Sequence, residues 1–129
     1  MKSKLKILLV DDDVLFRNVL CRALIYSGYD VFPAGNGREA LAEYRLSPAD
    51  LVLTDIVMPD KEGLETIGEL RRLNPAAKII AMSGGGLIDP KGYLSIARKM
   101  GVAATLQKPF THEELLKTLE SVLSPGDPP

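Results

Sequence analysis

The chain of 129 residues has one cysteine, one histidine, almost no charge imbalance and no long apolar run. A single cysteine cannot close an internal disulfide, so the chain suits a reducing compartment, and the cytoplasm is the expected location. No apolar stretch approaches the roughly 20 residues that cross a bilayer. The one in MKSKLKILLVDDD is too short before its acids to be a secretory signal. Sixteen basic against 17 acidic side chains, a net charge of −1, make no electrostatic case for nucleic acid or an anionic membrane. Gly (11) and Pro (9) are too few for a disordered or collagen-like chain. What is present, 46% hydrophobic and 26% charged residues, describes one globular domain. A chain of this size hides roughly two-thirds of its unfolded surface on folding, enough for a core without staples.

Apolar runs alternate with amphipathic ones from end to end. Leu5–Val10 reads as a strand that stops at three aspartates, and Val14–Ser27 as a helix. That helix repeats Leu15/Phe16, Val19/Leu20 and Ala23/Leu24 at helical spacing, with Gly28 at its end. Tyr29–Ala34 is a second, weaker strand, and Asn36-Gly-Arg-Glu39 resembles a capping box opening a helix that ends before Pro48. Leu51–Leu53 lies in a third strand ending at Thr54-Asp55. Leu64, Ile67, Leu70 and Leu73 mark a helix stopped by Asn74-Pro75. Lys78–Met82 is a fourth strand halted by Ser83 and three glycines, and Lys91–Met100 a helix ended by Gly101. Val102–Gln107 is a fifth strand. Thr111-His-Glu-Glu114 forms a capping box for a last helix whose buried stripe is Leu115, Leu116, Leu119, Val122 and Leu123. Five strand–helix units predict an α/β fold, a doubly wound three-layer sandwich around a five-stranded parallel sheet. Residues 1–123 read as that domain, and 124–129 as a C-terminal tail or linker stub.

In such a sheet the C-terminal strand ends share one rim, and ligands bind there. Past the first strand come Asp11, Asp12 and Asp13. Asp55 ends the third, Ser83 follows the fourth, and Lys108-Pro109 follows the fifth. Crowded carboxylates repel, and a hard divalent cation such as Mg²⁺ relieves them. A carboxylate nucleophile, a metal seat, a fixed cation and a hydroxyl donor are the parts for phosphoryl transfer to aspartate. Nothing in the set points to hydride or acyl transfer.

LLVDDD, LTDIVMPDKEG, AMSGGG and LQKPF, in this order and spacing, resemble the receiver domain of bacterial two-component response regulators. The likeness runs from Lys4 to about Leu123. It implies the flavodoxin-like strand order 2-1-3-4-5, of which receivers are one example. It also implies that Asp55 is the phosphoacceptor. Asp11 and Asp12 would hold Mg²⁺, Asp12 more directly, with Asp55 and the backbone carbonyl of Val57 completing the protein ligands. Ser83 would be the switch hydroxyl, Lys108 the cation that pairs with the phosphoryl group, and Lys108-Pro109 a cis peptide. The donor would be a phosphohistidine on a sensor histidine kinase or phosphotransfer protein. The domain would catalyse only its own phosphorylation and dephosphorylation. An output partner would meet the face made by the Lys91–Met100 helix, the fifth strand and the last helix. The pattern departs at Thr105, where the family usually has a switch aromatic, so a serine shift without ring rotation is expected. Val57 and Gly85, which flank the attacking water's path in the family, cannot orient a water with their side chains, so slow self-dephosphorylation is expected.

Plainer roles compete at several positions. Asp13 reads as a helix N-terminal acid, His112 as an early helix residue near solvent, Cys21 as packing, and Met58 and Pro59 as loop-shaping residues. Ser83 with its glycines is on its own a flexible loop, raised only by its companions. Three other functions compete with this reading. An aspartate-nucleophile phosphohydrolase would want a second acid where Val57 stands. A flavin carrier would need a phosphate loop where three acids stand. A degenerate docking scaffold is disfavoured because the five functional positions are intact.

Overall fold

The structure is a computed structural model and describes residues 4–56, 62–84 and 92–124. Ten elements alternate: β1 (Lys6–Val10), α1 (Val14–Tyr26), β2 (Asp30–Ala34), α2 (Gly37–Leu46), β3 (Leu51–Asp55), α3 (Glu62–Leu73), β4 (Ile79–Ser83), α4 (Tyr93–Lys99), β5 (Ala104–Gln107) and α5 (His112–Leu123). All strand pairs are parallel, in the order β2-β1-β3-β4-β5.

The apolar, non-alternating strands β3 and β4 are buried at every position, and β1 at all but its first. This is the burial expected of central parallel strands covered on both faces. The edge strands β2 and β5 are partly exposed, and Pro33, which has no N–H for the ladder, sits in edge strand β2. Alternate residues divide the core in two. Leu8, Val10, Val52, Ile79 and Ala81 pack with α2, α3 and α4 through Tyr44, Ile67, Leu70 and Leu94. Ile7, Leu9, Leu53, Ile80 and Met82 pack with α1 and α5 through Leu20, Leu24, Leu115 and Leu119.

Local signals place the helix ends. The Asp13 side chain caps α1 by accepting from Phe16 N–H at 3.1 Å, and Gly28 follows α1 with φ +102°, a left-handed conformation that favours glycine. Thr111 and Glu114 form a reciprocal capping box on α5. At α2 only half of the expected box forms. Asn36 accepts from Glu39 N–H at 2.9 Å, but the Glu39 carboxylate accepts from Gly35 N–H rather than from the cap residue.

The α1 stripe is narrower than its apolar pattern. Leu20 and Leu24 are buried, whereas Leu15 is 78% and Val19 69% exposed. Adjacent residues stand about 100° apart on a helix, so a flat sheet accepts one of each apolar pair and leaves the other in solvent. Strand ends shift by a residue or two: β1 starts at Lys6 rather than Leu5, β2 at Asp30 rather than Tyr29 and β5 at Ala104 rather than Val102, while β4 runs from Ile79 to Ser83 rather than from Lys78 to Met82.

Candidate functional site

Register brings the chemistry together. Val10 pairs with Thr54, so Asp11 and Asp55 leave adjacent strands at one level. Asp55 pairs with Met82, which precedes Ser83, and Ser83 pairs with Gln107, which precedes Lys108. Asp11 and Asp55 continue the alternation of Leu9 and Leu53 toward α1 and α5, whereas Ser83 continues that of Ile79 and Ala81 on the opposite face.

Asp11 is fully buried, Asp55 and Ser83 are buried, and Asp12 is exposed. Carboxylate oxygens of Asp11, Asp12 and Asp55 lie within 4.8 Å of one another. Lys108 Nζ reaches between two of them, 2.7 Å from Asp11 Oδ2 and 3.3 Å from Asp55 Oδ2. Burial works to lower the Lys108 pKa, but the Asp11 hydrogen bond and the pull of Asp55 and Asp11 outweigh it. The ammonium is held above its ordinary 10.5 and stays charged.

Three carboxylates against one ammonium leave two negative charges in excess. Clustered hard oxygen donors with that excess fit a divalent cation such as Mg²⁺ better than a soft or imidazole-seeking metal.

The backbone around these groups is pinned. Asp11 accepts from Asp13 N–H through Oδ1 at 2.9 Å, and its carbonyl accepts from Arg17 Nη1 at 2.8 Å. Lys108 N–H donates to the Ser83 carbonyl at 2.7 Å, tying β5 to the end of β4, and the Lys108–Pro109 peptide is cis. The Lys108 stem lies against Gly84, where a Cβ would stand 2.4 Å from Lys108 Cδ. A cleft of about 460 Å³ between α2 and α3, lined by Asn36, Arg38, Arg45, Glu65 and others, includes none of these groups.

The response regulator receiver domain profile matches residues 7–120. The chain is 34% identical over 118 residues to the chemotaxis protein CheY of Thermotoga maritima, covering 91% of this chain and 96% of that protein. It superposes with a TM-score of 0.84 on a receiver domain protein of Methanospirillum hungatei, at 30% identity over 94% of both chains. This chain belongs to the response regulator receiver family.

The receiver is a phosphoacceptor signalling domain, and its observed strand order is that of the family. It is also 36% identical over 124 residues to the transcriptional regulatory protein ZraR of Salmonella typhimurium, of which it spans 27% of the length. No helix among the described residues is long and apolar enough to cross a membrane.

Asp11, Asp12, Asp55 and Lys108 converge as the sequence predicts, and Ser83 ends the neighbouring strand, joined to Lys108 through its backbone carbonyl. Asp13 is the α1 cap, and His112 is exposed at the start of α5. Cys21 is half-buried with a free thiol. Thr105 pairs in register with Ala81, back from the rim, and its hydroxyl accepts from Arg98 Nη2 of α4 at 3.1 Å. Val57, Met58, Pro59 and Gly85 lie outside the described residues. The sequence reading missed Arg17, Phe16 and Gly84 as neighbours of the site. Arg17 and Phe16 follow the aspartates by one helical turn, a spacing that could have flagged them, whereas nothing local pairs Gly84 with Lys108.

Proposed function

We propose that Asp55 receives the phosphoryl group, from a phosphohistidine of a sensor histidine kinase or phosphotransfer protein. An Asp55 carboxylate oxygen attacks phosphorus, the P–O bond forms, the P–N bond breaks, and the imidazole leaves with the bonding pair. The observation that carries this reading is Asp55 itself. It is a buried carboxylate at the end of a central strand, 3.3 Å from a lysine ammonium and clustered with two further acids. Lys108 compensates charge on the arriving phosphoryl oxygens, and Ser83, at the end of the neighbouring strand, donates its hydroxyl to one of them. Asp11, Asp12, Asp55 and the Val57 carbonyl would hold Mg²⁺, which when bound offsets charge on the transferred group. The receiver catalyses only its own phosphorylation and dephosphorylation, in the cytoplasm. It is the regulatory unit, spanning residues 1–123, of a longer regulator or a protein that acts alone. The added charge, about −1.5 to −2 by analogy with other phosphorylated side chains, biases α4 and the β5–α5 face toward an output partner. Thr105 supplies no ring for this switch, so the signal passes through Ser83 and the Arg98–Thr105 link between α4 and β5.

Incubation with acetyl phosphate and Mg²⁺, followed by intact-mass measurement, tests the assignment. One phosphoryl group is expected on the wild-type chain, and none on Asp55→Asn or after chelation. An adduct that persists in Asp55→Asn, or none on the wild type, overturns it.

A further inference from the structure

A lysine stem is long and flexible, yet Lys108 must present its ammonium to one point. Its Nζ lies 4.1 Å from the centroid of the Phe16 ring, as well as against Asp11 and Asp55. An ammonium has three N–H donors. Two are matched by carboxylate oxygens, and an aromatic face attracts the charge within about 6 Å of its centroid. The ring is itself held. Phe16 N–H donates to the Asp13 cap at 3.1 Å, fixing the residue in the first turn of α1. Phe110, two residues after Lys108, meets the ring edge-on, with centroids 6.0 Å apart and planes at 84°. This aromatic pair therefore bridges α1 to the segment that carries the lysine.

We propose that Phe16 is a positioning residue for phosphoryl transfer, its ring face holding the Lys108 ammonium over the Asp11–Asp55 carboxylates. The inference rests on Asp55 being the phosphoacceptor. When the phosphoryl group arrives, the ammonium must shift from a carboxylate oxygen to a phosphoryl oxygen two bonds further out, across phosphorus. A hydrogen bond, bound to one distance and angle, loses strength over such a move. Attraction to a π face is broad in distance, so the ring keeps the cation in place through the shift.

Three proteins test this: wild type, Phe16→Leu, which keeps apolar bulk but removes the π face, and Phe16→Tyr, which keeps the face. Two readouts are needed, the rate of phosphorylation by acetyl phosphate at saturating Mg²⁺ and the proton chemical shifts of the Lys108 ε-methylene. The expected result is a rate lower by about five- to tenfold in Phe16→Leu and within about twofold of wild type in Phe16→Tyr. An upfield ring-current shift of the methylene should be present in wild type and Phe16→Tyr and absent in Phe16→Leu. A wild-type rate in Phe16→Leu, or equal loss in both variants, overturns the proposal. So does an unshifted methylene in the wild-type protein, a measurement that needs no variant to fold. If the wild type accepts no phosphoryl group, the Asp55 assignment fails instead, while the methylene shift still reports whether the ring holds the lysine.

Discussion

Replacing Gly63 with alanine sets two physical arguments against each other. Gly63 lies in the first turn of α3, and helix propensity alone favours alanine over glycine by about 0.8–1.0 kcal/mol. Packing opposes it. A Cβ at Gly63 would stand 2.4 Å from Ile56 Cα and 2.7 Å from its carbonyl carbon and oxygen. Non-bonded carbons rest at about 3.5–4.0 Å, so α3 must draw back from the end of β3 by roughly an ångström. Overpacking costs about 1–3 kcal/mol, and the upper part of that range applies where the obstacle is backbone. The net expectation is destabilisation of about 2 kcal/mol, a fall of roughly 6–8 °C in Tm for a domain of this size. Because Ile56 directly follows Asp55, phosphorylation should slow as well. Gly68 in the same helix is the control. There a Cβ would meet only Met100 Cε, at an ordinary 3.7 Å, so Gly68→Ala should stabilise by up to about 1 kcal/mol. Urea and thermal melts by circular dichroism measure both. A Gly63→Ala protein as stable as wild type would refute the close approach of α3 to Ile56.

Other outcomes follow from the same geometry. Asp12→Asn removes an exposed member of the acidic cluster, so Mg²⁺ affinity measured by calorimetry should fall while the melting curve barely moves. Thr111→Ala removes the hydroxyl that accepts from Glu114 N–H, one half of the α5 capping box, and should cost about 1 kcal/mol in a denaturant melt. Serine at Leu15 or Val19 should change stability by no more than about 0.5 kcal/mol, since both side chains are mostly in solvent. The phosphorylated receiver should lose its group slowly, with adduct still visible by mass after prolonged incubation in Mg²⁺. A lifetime of only seconds would contradict the assignment of apolar residues beside the water's path.

Much of the fold was legible because the patterns are local. The capping box at Thr111, the left-handed Gly28 and the continuous apolar runs of β3 and β4 each express an interaction among near neighbours. Asp11, Asp12, Asp55, Ser83 and Lys108 were legible for another reason: strand ends of a parallel sheet share a rim, so polar residues that close apolar runs can be listed together. Burial was less legible. Leu15 looked like core because hydrophobicity marks what a residue tolerates, and the width of the sheet contact determines what is covered. Glu39 was expected to complete a box at Asn36, but the neighbouring Gly35 N–H took its carboxylate.

The amino-acid order by itself determined the strand–helix alternation, the parallel sheet and the set of acids, hydroxyl and lysine at its carboxyl edge, because period and punctuation are written along the chain. Only the tertiary structure decided which way each of these groups is held. Lys108 bridges Asp11 and Asp55, Phe16 stands over its ammonium, and Thr105 turns to Arg98 rather than to the rim. Those contacts join residues up to 97 positions apart, and they exist only once strand register has brought the stretches side by side.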